Sequence, residues 1–86
     1  MHFTEREARA KEGKSVRIRD YSRANEGIEL GTLGKVVQAA PLWSTIIVGE
    51  EGRKTQGWRV EVQFDTHPDL FKFDKVEYER SLEELN

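Results

Sequence analysis

The chain has 86 residues, enough for one small domain near the lower limit of what folds alone without a disulfide or a metal. It has no cysteine, which removes disulfides, thiolate chemistry and cysteine-based zinc sites, and its formal net charge of −2 argues against a general phosphate-binding protein. That charge is uneven: residues 1–64 carry eleven Lys/Arg against nine Asp/Glu and residues 65–86 three against seven, leaving the body at +2 and the tail at −4.

The opening F-T-E-R-E-A-R-A-K-E-G has Thr4 where an N-cap belongs, Glu7 three residues on as its capping-box partner, and Gly13 as a terminator. This predicts a short helix from Glu5 to about Lys11, with residues 1–13 forming an N-terminal helical segment. S-V-R-I-R then sends Val16 and Ile18 to one face and Arg17 and Arg19 to the other, the period of two of a half-buried strand. A polar excursion follows, from Asp20 to Leu30. T-L-G-K-V-V-Q-A-A reads as a second strand, with Gly31 and Gly34 marking a tight entry and a bulge or sharp bend. W-S-T-I-I-V, from Trp43 to Val48, is β-branched and reads as a third strand after Pro41. Gly49 to Gly57 reads as a polar loop. W-R-V-E-V-Q-F has the clearest alternation in the chain, with Trp58, Val60, Val62 and Phe64 inward and Arg59, Glu61 and Gln63 outward. D-T-H-P-D is a turn, and L-F-K-F offers a fifth strand.

The last stretch has Asp74 as an N-cap, Glu77 three residues later, and Tyr78, Leu82 and Leu85 at i, i+4 and i+7. It reads as an amphipathic helix over 74–86 whose apolar stripe packs on its own domain. The expected fold is therefore mainly β: a small five-stranded antiparallel barrel over 14–73, curled by glycines, with a helical piece at each end. Closing the sheet would hide its edges. The 36% of hydrophobic residues cluster in strand-like runs, which suits a folded domain. The charged start and short apolar runs give no membrane span and no export signal, so the expectation is a cytoplasmic protein.

Enzyme chemistry has little foothold. His2 and His67 each lack a visible second ligand or paired base, and no nucleophile-elbow, Walker-type or dinucleotide glycine pattern occurs. No catalytic residue, metal, cofactor or small-molecule substrate is expected. Two surfaces are candidates for binding. The first is a loop face with Tyr21, Arg23 and Glu26 from the excursion, Trp43, and Arg53 and Lys54 from the polar loop, where an aromatic among charges suits a protein partner. The second is an outer sheet face with Arg17, Arg19, Lys35 and Arg59, a local basic surface for nucleic acid, although cross-strand pairing with Glu61 is the simpler fate of these arginines.

The order of V-R-I-R, long excursion, G-T-L-G-K-V-V, hairpin and W-R-V-E-V-Q-F resembles the Src-homology-3-like small barrels across residues 14–73. G-K-S-V-R-I-R followed by G-T-L-G-K-V-V is similar to the KOW-type variant of ribosomal and transcription-associated proteins. The V-R-I strand, the G-T-x-G turn and V-x-V-x-F-D also resemble the small barrel subunits that dock on photosynthetic electron-transfer complexes, and the terminal helix resembles that of small bacterial proteins of unknown function. These likenesses imply a non-enzymatic adaptor or accessory protein that binds a protein partner through its loop face; an inhibitor of a larger machine would fit the same size and composition. The KOW likeness implies instead a nucleic-acid-binding module.

Overall fold

In the computed structural model of the chain, residues 2–48, 52 and 54–85 are described, residues 43–48, 54 and 55 as backbone only. The elements in chain order are α1 (Glu5–Lys11), β1 (Ser15–Ile18), a 3-10 turn (Ala24–Glu26), β2 (Leu33–Val48), β3 (Lys54–Phe64), β4 (Leu70–Phe73), α2 (Lys75–Ser81) and β5 (Leu82–Glu84). The five strands form one antiparallel sheet in the order β4-β3-β2-β1-β5. Among the described residues β4 and β5 share no ladder, so the sheet is open.

α1 forms where its cap dictates. The Thr4 hydroxyl accepts from the Glu7 amide at 3.2 Å and the Glu7 carboxylate accepts from the Thr4 amide at 2.9 Å, the reciprocal capping box. Seven residues are too few for an independent helix, so tertiary ties hold it. Ala8 is fully buried, and Phe3 sits edge-on to Tyr78 with centroids 5.7 Å apart. Lys75 Nζ reaches Glu7 at 2.9 Å and Lys11 Nζ reaches Glu84 at 2.7 Å. The Arg9 guanidinium lies 4.9 Å from the Trp58 ring. Trp58 is thus half-buried at the margin of the core, whereas Val60, Val62 and Phe64 are fully inside as their alternation predicts.

Three expectations are corrected. The second and third strands are one continuous strand, β2, running through Pro41. The physical reason lies in the ladder: Pro41 stands opposite Trp58, whose amide is directed away from β2 to the Phe3 carbonyl at 2.8 Å. In an antiparallel pair both partners at such a position turn their backbone groups outward, so the missing proline N–H costs no β2–β3 bond. Second, the polar loop is shorter than Gly49–Gly57, because β3 already begins at Lys54 and Gly57 is buried opposite Leu42. Third, the helix predicted for 74–86 ends at Ser81, and Leu82–Glu84 turn into β5 against β1.

That last change has an energetic cause. β1 would otherwise present an open edge, and β5 supplies partners for it, with Arg19 N bonding Ser81 O and Leu85 N bonding Ser15 O, both at 2.9 Å. Leu82 is buried as its place on the stripe predicts, whereas Leu85 leaves the stripe and is exposed.

One bulge shapes the sheet near its middle. Val36 opposes Val62 and Gln38 opposes Glu61, so Val37 is the extra residue and its side chain is exposed. Gly34 is required beside it: a Cβ there would meet Phe64 Cδ1 at 2.8 Å and the Gln63 carbonyl at 2.9 Å.

Candidate partner-binding loop face

The excursion between β1 and β2 is closed at its base by two backbone bonds, Gly31 N to Ile18 O and Ile18 N to Thr32 O, each 2.9 Å. Three further anchors fix it to the body. Asp20 Oδ1 accepts from the Ser22 amide at 3.1 Å and lies 2.6 Å from its hydroxyl, the local turn that an Asp two residues before a Ser favours. The buried Ser81 hydroxyl donates to Asp20 Oδ2 at 2.8 Å, tying the turn to the end of α2. Burial pushes the Asp20 carboxyl up, but the Ser22 and Ser81 hydrogen bonds outweigh it and hold the group below the ordinary aspartate value.

Arg23 is the second anchor. Its side chain is 14% exposed, its Nη2 donates to the Lys72 carbonyl on the free edge of β4, and its guanidinium carbon stands 4.2 Å from the Phe73 ring centroid. Glu26 at 3.3 Å and Glu77 at 3.4 Å complete its surroundings. Third, Ile28 is fully buried and Gly27 turns with φ 86° against His67, where a Cβ would meet Nε2 at 2.9 Å. Between the two tied residues Asp20 and Ser22 stands Tyr21, 72% exposed. The result is a firmly held loop displaying one aromatic ring.

Of the expected loop face, the structure therefore brings together Tyr21, Arg23 and Glu26, with Arg23 engaged by its own chain and Tyr21 fully presented. Trp43 and Lys54 are backbone positions in the distal parts of β2 and β3. Their side chains, and Arg53 altogether, lie outside the described residues. The excursion is anchored at β4 and at the Leu33 end of β2, and the β2–β3 connection lies at the Val48 end, so the 16 residues of β2 separate the two loops by roughly 50 Å of strand contour.

The expected basic face is largely neutralised from within. Arg17 Nη2 pairs with Glu83 at 3.1 Å, and Arg59 Nη2 with Glu61 at 3.1 Å. Arg19 donates to the carbonyls of Glu79 and Arg80, the end of α2 where a cation suits the helix dipole. Lys35 is exposed and makes no ion pair among the described residues. Glu61, expected outward, is 7% exposed beneath Gln38 and Arg59. Its burial raises the carboxyl pKa, and those two partners more than reverse the effect, so it is held below the ordinary glutamate value.

Sequence reasoning missed the Ser81 anchor, the capping of the Lys72 carbonyl by Arg23, and the Gly27–His67 contact. Only the D-Y-S spacing at 20–22 carried a local signal; the others join residues more than 35 positions apart. Among the described residues no group of three or more His, Cys, Asp or Glu is arranged to hold a metal ion, and no helix is long and apolar enough to cross a membrane. His67 Nδ1 lies 2.7 Å from the Thr66 hydroxyl. No protein-family model matches the chain, and no curated protein or solved structure is significantly similar to it.

Proposed function

We propose that the chain is a small non-enzymatic adaptor or accessory protein of the cytoplasm, with the strand arrangement of a Src-homology-3-like barrel left open between β4 and β5, that grips a protein partner through the excursion centred on Tyr21. The observation that carries this is the contrast at residues 20–23: a largely exposed aromatic ring is flanked on both sides by residues bonded to the body. Large aromatics on pre-ordered loops give contact area without the entropy cost of ordering the loop on binding, which is why they dominate binding hot spots. The barrel assignment is supported by the strand order, by the long excursion between β1 and β2, and by the bulge that curls β2. Inhibition of a larger machine is one use of such a face.

The test compares proteins captured from native lysate by the wild-type chain, by Tyr21→Ala and by Val76→Ala, another exposed apolar substitution. A partner kept by Val76→Ala and lost with Tyr21→Ala supports the proposal. An identical captured set for all three overturns it. A duplex that binds the chain with a steep loss as salt rises would favour the nucleic-acid reading, which the internal pairing of Arg17, Arg19 and Arg59 argues against.

A further inference from the structure

A different surface carries an inference independent of the excursion. On the outer face of the sheet, Leu33, Val37 and Leu70 are 40–47% exposed, against the burial expected for aliphatics of this size on a covered face. They surround Lys35 and Gln63, which oppose each other across β2 and β3, with Leu70 opposite Gln63 on β4. Beside them Lys35, Val37, Gln63 and Asp65 line a recess of about 500 Å³ that continues into the β3–β4 turn. The charged groups on both flanks are already matched within the chain, Arg17 by Glu83 and Arg59 by Glu61. Lys72 on β4 stands opposite that same Glu61, and Lys35 and Asp65 remain at the centre. Lys35 and Asp65 sit on one diagonal of the β2–β3 pairing, Leu33 and Gln63 on the other, and neither Lys35 nor Asp65 makes an ion pair among the described residues.

The geometry points to a second copy of this chain as the occupant of that face. One unmatched cation and one unmatched anion around an apolar centre form a surface complementary to itself. A two-fold axis lying in the face along the Leu33–Gln63 diagonal puts each Lys35 against the other copy's Asp65 and each Leu33 against its counterpart. An acidic or a basic partner would match one of the two charges and bury the other uncompensated, which is costly. Three half-exposed aliphatic side chains with one cation and one anion make a small contact beside the roughly 800 Å² per partner of a standard interface, so the dimer is expected to be weak, forming at about 10 µM to 1 mM.

Sedimentation equilibrium across that range tests it. The wild-type mass is expected to rise toward twice the monomer value. Lys35→Asp and Asp65→Lys alone create like-charge pairs across the axis and are expected to stay monomeric; mixed one to one, they pair with opposite charges at both positions and are expected to form a heterodimer. Constant monomer mass for the wild type, unaltered dimerisation of either single variant, or a monomeric mixture would each overturn the inference. Should a variant fail to fold, concentration-dependent amide shifts of the wild-type chain decide the matter: shifts centred on Leu33, Val37 and Leu70 support the dimer, and shifts elsewhere or none overturn it.

Discussion

Truncating Arg23 to alanine isolates the device that holds the excursion to the sheet. The substitution removes a charged-donor hydrogen bond to the Lys72 carbonyl, about 1.5–3 kcal/mol in net contribution. It also removes a guanidinium stacked on a buried ring, about 0.5–2 kcal/mol. Against this, the freed Lys72 carbonyl lies at a sheet edge where water replaces the donor, and the Glu26 pair is exposed enough to contribute only a few tenths. The expected loss is therefore about 2–3 kcal/mol, which for a domain of this size lowers the melting temperature by roughly 10–20 °C. Urea unfolding gives the free energy, and amide exchange gives the location. The Ile28 amide, bonded to the Arg23 carbonyl at 3.1 Å, is expected to lose protection beyond the global change, because its loop detaches before the sheet unfolds. Arg23→Lys keeps the charge but not the planar stack, and is expected to fall between the two. A loss below about 0.5 kcal/mol, the range of an ordinary surface change, together with unchanged Ile28 exchange would refute the anchoring role of Arg23.

Other outcomes follow from the same structure. Gly34→Ala drives a methyl into the Phe64 ring and the Gln63 carbonyl and is expected to cost about 1–3 kcal/mol in urea unfolding, despite the better strand propensity of alanine. Leu82→Ala is expected to cost about 2–4 kcal/mol and Leu85→Ala under about 0.5; equal losses would mean that the tail is the continuous helix its spacing suggests and not a strand. The Lys11 ammonium and then the Tyr78 hydroxyl, 2.7 Å away, hold the Glu84 carboxyl below its ordinary value of 4.5. A depressed folded-state pKa contributes stability above the unfolded value and loses it as pH falls through the folded one, so the urea midpoint should fall below about pH 5, and less steeply for Glu84→Gln. An unchanged acid slope in that variant would remove the Lys11–Glu84–Tyr78 clip from the account.

Much of the chain could be read along its length because the responsible forces are local. The Thr4–Glu7 and Asp74–Glu77 capping boxes both form where the residue types and spacing require them. The alternation from Val60 to Phe64 and at Val16/Ile18 places those side chains in the core. On the excursion, Tyr21 and Glu26 are exposed as their polar surroundings in the chain suggest. That Arg23 is clamped rather than offered could not be inferred from R-A-N-E, since its partners at Lys72, Phe73 and Glu77 come from another part of the chain.

Periodicity at 78, 82 and 85 is satisfied equally by a helix and by a helix that turns into a strand, because Tyr78 and Leu82 reach the core in both. Pattern alone settled which residues are apolar-facing; the edge of β1, with backbone groups in need of partners, settled that Leu82–Glu84 are strand. The same division holds at Pro41. Local chemistry marks it as a breaker, and only the ladder, by directing the Trp58 amide toward Phe3, removes the need for the hydrogen bond that proline lacks. Capping and alternation act between residues a few positions apart and are written in the chain, whereas the satisfaction of backbone groups and ion pairs depends on which distant segment arrives beside them.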